Sequence, residues 1–337
     1  MSAVGSLEAT GQILRWRRIG LCLLLGAGPV FAADSAEQAK GLLDAMFKAS
    51  KSLNYQGIFV YARGAQVESM RIVHRVKGED EAERLLSLNG PPREVIRNNQ
   101  TVTCIFPENK SVVEKPRARR FFPETLPHPI DKLPEFYALE LAQDDRVAGR
   151  DAWRVTVKPR DKYRFGYQFS IDRDTHLLLK SAVLSAQGEP LEQVMFTSLD
   201  VNAEIADAAL QATLTGEGFE RNTSQAQADL PEHANGKWAV GWLPPGFALL
   251  EHQLNTIPSK RQPVHHMSFS DGLAAVSVFI EKAEAAPDRV DGYSSMGAVS
   301  AFSTLYKAGE EDYQVTAVGE VPRATVHSVA MSVKRAP

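Results

Sequence analysis

The sequence predicts a mainly β, α+β protein: a large curled antiparallel half-barrel followed by a smaller α+β domain. Apolar and polar residues alternate along most of the stretch from residue 55 to 200, which is the period of half-buried strands. Short turns separate these segments and leave no room for crossover helices, so neighbouring strands must run antiparallel. An open sheet of about ten strands tends to curl.

Residues 1–32 have the order of residue types of a secretory signal peptide. Three arginines precede an apolar run at residues 19–31, and the small residue Ala32 follows. The run is shorter than a membrane-spanning helix, which needs about 20 residues. We interpret it as a general secretion signal. A twin-arginine signal is less favoured because no redox-cofactor motif follows, and a lipoprotein is less favoured because no Cys lies at the cleavage site. The remaining alternative is the amphipathic start of a cytosolic protein.

Charge and cysteine content narrow the classes of function. The formal net charge is -3, and the first 32 residues carry three Arg and one Glu, so the rest of the chain stands at -5. An acidic chain argues against a nucleic-acid partner. Without Cys22, only Cys104 remains, and one thiol cannot close an intramolecular disulfide. We interpret Cys104 as a buried strand residue rather than a reactive thiol.

The first domain, residues 33–212, is expected to open with a helix. Leu43 and Met46 recur at helical spacing, with Asp34 or Ser35 as the cap. A short helix is expected again near the end of the domain, at residues 203–214. Strands are expected between these helices at residues 55–61, 70–76, 84–88, 94–97, 100–106, 111–115, 136–142, 152–158, 164–172, 177–184 and 191–200.

Prolines mark a long irregular loop inside this domain. Five of them lie between residues 116 and 134, and a strand ladder cannot accept so many missing N–H donors. The loop also carries cations beside two phenylalanines, in a protein that is otherwise acidic. Such a patch fits phosphates or carboxylates next to an apolar chain, or it is an ordinary basic loop whose phenylalanines enter the core.

The second domain, residues 237–337, follows a polar stretch at 213–236 that we interpret as an interdomain linker. Its strongest hairpin signal is Asp271-Gly272, which separates two strand-like segments. Pro322 is placed to begin a final helix that carries apolar residues at helical spacing up to Val333. Strands are expected at residues 237–242, 247–254, 264–270, 273–281, 299–307 and 313–319.

The common catalytic and cofactor motifs for phosphate, dinucleotide, redox, zinc and acyl-transfer chemistry do not occur, so we expect neither an enzyme nor a cofactor. His265 and His266 invite a metal interpretation. Because neighbours in a strand point to opposite faces, they cannot chelate one ion, and we expect no metal site.

Phe165, Tyr167 and Phe169 share one face of a predicted strand, together with Ile171. Large aromatic side chains on one face of a curled sheet can line an apolar cavity. They can equally fill the sheet by packing on the opening helix, and both interpretations stay open.

Two segments, Tyr55-Gln-Gly-Ile-Phe-Val-Tyr61 and Trp242-Leu-Pro-Pro-Gly-Phe247, together with six others between them, resemble the RseB/MucB family of periplasmic regulators of an envelope-stress sigma factor. The resemblance runs in family order through nearly the whole chain after the signal sequence. It is carried by Tyr55-Gln-Gly-Ile-Phe-Val-Tyr61, Ile72-Val-His-Arg75, Glu83-Arg-Leu-Leu-Ser-Leu-Asn-Gly90, Glu94-Val-Ile-Arg97, Arg146-Val-Ala-Gly-Arg150, Tyr163-Arg-Phe-Gly-Tyr167, Leu177-Leu-Leu-Lys-Ser181 and Trp242-Leu-Pro-Pro-Gly-Phe247.

The resemblance implies a half-open β-barrel like that of LolA-type lipoprotein carriers, followed by a small C-terminal domain, in the periplasm. It implies a negative regulator that binds the periplasmic segment of a membrane-spanning anti-sigma factor, RseA-like or MucA-like, and shields it from site-1 proteolysis until lipid or lipopolysaccharide releases it. On the basis of this resemblance, we expect the second domain to bind the anti-sigma factor. The lipid-binding residues expected are Phe165, Tyr167 and Phe169 for acyl chains and Arg117, Arg119 and Arg120 for anionic head groups.

Two other functions remain open at this stage. A periplasmic lipid or lipoprotein carrier would use the same cavity for transport, but it needs only the barrel. An envelope hydrolase is the third hypothesis, and no motif supports it. The sequence also leaves open whether the chain forms a homo-oligomer.

Overall fold

The computed structural model describes residues 30–99, 101–116, 132–214, 216–223, 238–255, 263–283 and 291–335. The predicted signal peptide lies outside these residues except for its last three, and Arg117, Arg119 and Arg120 lie outside them entirely. In the part of the chain that is described, no helix has both the length and the apolar character to cross a membrane.

The first domain is one sheet with a helix packed on it. Its helices are α1 (Val30–Ser52) and the short α2 (Leu133–Phe136). Its strands are β1 (Tyr55–Arg63), β2 (Gln66–Lys77), β3 (Asp80–Ser87), β4 (Glu94–Arg97), β5 (Thr101–Phe106), β6 (Ser111–Pro116), β7 (Tyr137–Val147), β8 (Arg150–Pro159), β9 (Gly166–Asp172), β10 (Leu178–Leu184), β11 (Pro190–Val201) and β12 (Glu220–Thr223).

The strand order of this sheet is β12-β6-β5-β4-β3-β2-β1-β11-β10-β9-β8-β7. The predicted antiparallel meander is confirmed within β1–β6 and within β7–β11, where short turns connect neighbours. The two meanders join through the pairing of β1 with β11, so the chain passes from β6 to β7 at the far edge of the sheet. Most of the predicted proline-rich loop between these strands lies outside the described residues. Strand β12 was not predicted, and it pairs with β6 in parallel, because the chain returns to this edge from a distance rather than through a hairpin.

The predicted helix at residues 203–214 is reduced to one 3-10 turn at Asp207–Leu210. The backbone that follows is held by the buried carboxylate of Glu94 on β4. The N–H groups of Thr213 and Leu214 donate to its Oε2 at 2.9 and 2.7 Å, and Arg84 donates to its Oε1. A charged acceptor takes up the donors that a further helical turn would have used. The first part of the predicted linker is therefore built into the first domain, up to β12.

Helix α1 covers one face of the sheet near β7, β8 and β9. Ala39, Leu43 and Met46 are its most deeply buried residues, as the helical spacing predicts. They form one core cluster with residues from the sheet and with Leu273 of the second domain. The core of the first domain thus extends across the domain boundary.

The second domain is a sheet of order β14-β15-β16-β19-β18-β17 with one helix packed against β18 and β19. Two further short strands, β13 and β20, pair with each other. The elements are β13 (Trp238–Val240), β14 (Ala248–Asn255), β15 (Val264–Ser270), β16 (Ala275–Lys282), β17 (Gly292–Met296), β18 (Val299–Ala308), β19 (Glu311–Gly319), α3 (Arg323–Met331) and β20 (Val333–Arg335).

Two details of the second domain differ from expectation. The final helix ends at Met331, and Val333 leaves it to pair with Val240 in β20. Val333 has the spacing of the apolar helix face, but it lies beyond the helix and is buried through the pairing of β20 with β13. The edge strand β17 was not predicted, since its sequence Gly-Tyr-Ser-Ser-Met shows no clear alternation.

Candidate functional site between the domains and under the opening helix

The predicted aromatic face of β9 lies in the core of the first domain. Tyr167 and Phe169 are buried, their rings stack with centroids 6.0 Å apart, and they belong to the same cluster as Leu43 and Met46 of α1. Phe165 is half-buried just before the strand begins. In this conformation the aromatic side chains fill the sheet beneath α1, so an apolar ligand would reach them only if the helix moved.

Arg164, next to this aromatic face, connects the two domains through a buried ion pair. Its Nη1 donates to Asp271 Oδ2 at 2.5 Å, and neither side chain has exposed surface. Its Nη2 donates to the carbonyl oxygen of Pro245 at 2.6 Å, and Asp161 of its own domain lies 3.0 Å away. Burial is the largest influence on the pKa of Arg164 and lowers it, but the charges of Asp271 and Asp161, the Tyr137 hydroxyl and the hydrogen bond to Asp161 together raise the pKa above its ordinary value.

Aromatic rings surround this guanidinium. Its central carbon lies 5.1 Å from the ring centroid of Phe136 and 5.3 Å from those of Tyr137 and Phe247. The Tyr137 hydroxyl also donates to Asp271 Oδ2, at 2.9 Å. We call Arg164, Asp271, Tyr137 and these flanking rings the arginine hub. Because the buried polar groups of the hub are paired with one another, removing one of them leaves another unpaired and lowers the stability of the fold.

Two backbone features of the second domain, the turn that begins at Asp271 and the glycine at position 246, shape its contact with the arginine hub. Asp271 Oδ1 accepts the N–H groups of Leu273 and Ala274, which forms the turn that the sequence predicted. Gly246 has φ of +86°, and a Cβ there would come within 2.5 Å of the Phe136 ring, so only glycine allows this close approach.

A second contact between the domains lies at Glu192 of β11. Its Oε1 accepts the N–H of Ala298 at 2.9 Å, and its Oε2 accepts the hydroxyl of Tyr61 at 2.6 Å. Burial first, and then the hydrogen bond to Glu192, raise the pKa of Tyr61. Glu320 lies close enough to Glu192 for the two charges to interact. Desolvation first, and then the charge of Glu192, raise the pKa of Glu320, although part of its surface is exposed to water.

Two histidines of the second domain are held without hydrogen-bond partners at one ring nitrogen each. His252 on β14 and His265 on β15 have ring centroids 5.8 Å apart, and the Nε2 of His252 and the Nδ1 of His265 are buried and unpaired. Burial lowers the pKa of both rings. Within the described residues no three potential ligands come together to hold a metal ion.

These histidines predict a pH dependence. A group whose pKa is lowered in the folded state from 6.5 contributes stability above that pH, and loses it as the pH falls through the folded pKa. We therefore expect the melting temperature of the second domain to fall between pH 7 and about pH 5. The double variant His252→Gln/His265→Gln should show a flatter profile.

Thermal unfolding at a series of pH values measures this effect. The raised pKa of Glu320 acts in the opposite direction, so the difference between the wild-type and variant curves isolates the histidines. Parallel curves would contradict the prediction.

The residues that join the domains were not predicted as a site. The sequence signals were present only as family-like or turn-like segments: Tyr163-Arg-Phe-Gly-Tyr167 contains Arg164, and Asp271-Gly272 was recognised as a turn. Nothing in the sequence connects two positions 107 residues apart.

Family comparisons agree with both domains. The family model for the MucB/RseB N-terminal domain matches residues 38–214, and that for the MucB/RseB C-terminal domain matches residues 232–334. The sigma factor AlgU regulatory protein MucB of Pseudomonas aeruginosa is 34% identical over 326 residues, covering 94% of this chain and 98% of MucB. The sigma-E factor regulatory protein RseB of Escherichia coli K12 is 27% identical over 328 residues, covering 93% of this chain and 96% of RseB.

Solved structures give the same result. The MucA/MucB complex of Pseudomonas aeruginosa matches with a TM-score of 0.72 at 32% identity, over 89% of this chain and 99% of the solved chain. A crystal structure of MucB matches with a TM-score of 0.62 at 30% identity, over 89% of this chain and 98% of the solved chain. The similarity therefore spans both domains, and the chain belongs to the MucB/RseB family.

Proposed function

We propose that this protein is a periplasmic negative regulator of an envelope-stress sigma factor. It binds the periplasmic segment of a membrane-spanning anti-sigma factor and protects that segment from site-1 proteolysis. One observation carries the proposal: the chain matches, along both domains, MucB solved in complex with the periplasmic part of MucA, with a TM-score of 0.70 at 33% identity. Residues 1–32 direct export in this proposal, and the chain acts by binding rather than by catalysis.

The protection follows from competition for one segment. A protease needs an extended and accessible chain, and a segment held on a folded surface is neither free nor accessible. A ligand that binds more tightly to the free regulator than to the regulator with its segment bound weakens the binding of the segment. The loss of affinity equals the difference between the two free energies of ligand binding, typically about 1–3 kcal/mol.

Lipid release is the part of the proposal that concerns the aromatic face. An acyl chain reaching Tyr167 or Phe169 has to take the place of Leu43 and Met46, because these side chains now share one closed core. Lipid binding would therefore be linked to displacement of α1, and the lipid-bound state would be a distinct conformation. The residues proposed for acyl chains are Phe165, Tyr167 and Phe169, and those proposed for anionic head groups are Arg117, Arg119 and Arg120.

The function is tested with the purified chain that starts at Ala33 and the periplasmic part of the anti-sigma factor from the same organism. We expect a stable complex by calorimetry, and slower cleavage of the anti-sigma factor by its site-1 protease as the regulator is added. Cleavage of casein by the same protease is the control, because it should not change. Absence of both binding and protection would overturn the proposal, and retained acyl-chain binding would then favour a lipid carrier.

A further inference from the structure

Strand β17 forms an open edge of the second sheet. It pairs with β18, and among the described residues no strand lies on its other side. Four of its five residues are exposed, including Tyr293 at 50% and Met296 at 54%. Large apolar side chains on an unpaired edge are a liability unless a partner covers them.

The pairing of β17 determines which backbone groups face outward. The turn to β18 has two residues, Gly297 and Ala298, and Gly297 has φ of +60°. The residues that flank such a turn, Met296 and Val299, form a hydrogen-bonded pair, and the bonding alternates along the strands. The N–H and C=O groups of Tyr293 and Ser295 consequently point away from β18, toward the open edge.

The other edge of the sheet is less suited to an added strand. Strand β14 exposes Leu249 and Leu250, but its pairing with β15 shifts register between Leu249 and Glu251. A bulge of this kind disrupts the ladder and twists an edge away from further pairing. The register of β17 has no such break.

A cleft continues the β17 edge toward the first domain. It has a volume of about 540 Å³ and is lined from both domains, by Met296 and Gly297 on one side and by Arg63, Pro190 and Leu191 on the other. The Nε of Arg63 is buried there and has no hydrogen-bond partner. A buried donor without a partner is costly, and because this atom has no exposed surface, an incoming carbonyl or carboxylate oxygen would satisfy it only after the Arg63 side chain moves.

Charges of both signs lie along this path, since Asp291 directly before β17 and Glu192 in the cleft are acidic and two arginines are basic. Arg323 at the start of α3 is exposed and donates to the hydroxyl of Ser295 at 2.6 Å, and Arg63 lies at the end of the strand. Glu192 also lines the cleft, but its carboxylate is already bonded to Tyr61 and Ala298. An extended segment with apolar residues and an acidic residue opposite the exposed Arg323 complements this surface.

We propose that an extended, acidic and apolar segment of the anti-sigma factor's periplasmic region binds by adding a strand to the open edge of β17, with an acceptor oxygen reaching Arg63. This inference rests on the proposed function and locates the partner on the chain. Backbone hydrogen bonds at Tyr293 and Ser295 provide affinity, while Met296 and the cleft select the side chains.

Ser295→Pro tests the strand addition in the chain that starts at Ala33, with calorimetry of the anti-sigma factor's periplasmic part. Proline removes one outward N–H but no bond to β18, and an edge strand tolerates it. We expect binding to weaken by about tenfold or more. Ser295→Ala is the matched control, because it removes the hydroxyl but keeps the N–H. Ser295→Ala should therefore retain most of the affinity that Ser295→Pro loses, and Leu250→Pro, the control on the other edge, should bind like wild type.

Hydrogen exchange provides a measurement that does not depend on a variant. The amides of Tyr293 and Ser295 should exchange quickly in the free protein and become protected when the partner binds, whereas the amides of β14 should not change. If wild type binds but Ser295→Pro binds equally well and these amides stay unprotected, the strand addition is wrong and the regulatory function stands. If wild type does not bind, the function itself fails. Protection that appears with protein concentration alone would show a second copy on β17 and would also overturn the inference.

Discussion

Replacing Arg164 with alanine is expected to lower the free energy of unfolding by about 4 kcal/mol. The substitution leaves the carboxylate of Asp271 buried without its cationic partner, and it removes the bond to the carbonyl oxygen of Pro245. An uncompensated buried charge is costly, whereas an intact buried pair adds little over apolar packing. Urea denaturation followed by circular dichroism measures the loss.

Arg93→Ala is the matched control for the Arg164 variant. It removes the same side chain from an exposed ion pair with Glu68, 3.0 Å apart, where both partners keep contact with water. We expect a loss below about 1 kcal/mol there, because exposed pairs are screened and poorly ordered. A loss of similar size in both variants would show that the arginine hub does not hold the domains together.

Leu43→Ala is expected to cost about 3 kcal/mol of stability and to increase the binding of a fluorescent fatty acid. Leu43 is fully buried in α1, in the same cluster as Tyr167 and Phe169. Truncating it opens a cavity between the helix and the aromatic face, and an apolar cavity accepts an apolar ligand. Thermal unfolding and fluorescence titration of the same preparation give the two quantities.

The control for Leu43→Ala is Leu179→Ala. Leu179 is equally buried but belongs to a different cluster, with Val147 and Ala152. Its truncation should cost a similar amount of stability without changing probe binding. If both variants bound more probe, general loosening of the fold would explain the effect. If neither did, acyl chains would not enter beneath α1.

The two variants address different parts of one arrangement. Arg164 of the arginine hub lies directly before β9, and Tyr167 and Phe169 lie on β9. The contact with the second domain and the predicted lipid-binding face therefore involve the same part of the first sheet. Leu273, two residues after Asp271, enters the core that α1 covers. A displacement of α1 would therefore disturb the same core that seats the second domain.

Most of the strands could be predicted because their signal is local. Alternation of apolar and polar residues, with turns such as Asp271-Gly272, is present wherever one face of a strand is buried. The opening helix was predicted for the same reason, from Leu43 and Met46. The 3-10 turn at Asp207–Leu210 and the strand β12 could not be predicted, because distant groups, Glu94 and β6, decide them. Local propensity gives way to such tertiary partners.

The sequence by itself determined the strand-rich class of the fold and the order of the two domains, because periodicity and turn residues are local properties of the chain. The family was indicated separately, by the resemblance of segments such as Trp242-Leu-Pro-Pro-Gly-Phe247. Only the tertiary structure decided that Tyr167 and Phe169 are covered by α1, that Arg164 finds Asp271, and that β17 is left as an open edge. Burial and pairing depend on which surfaces come into contact in the folded chain, and the local sequence around a residue does not show which distant residue it will contact.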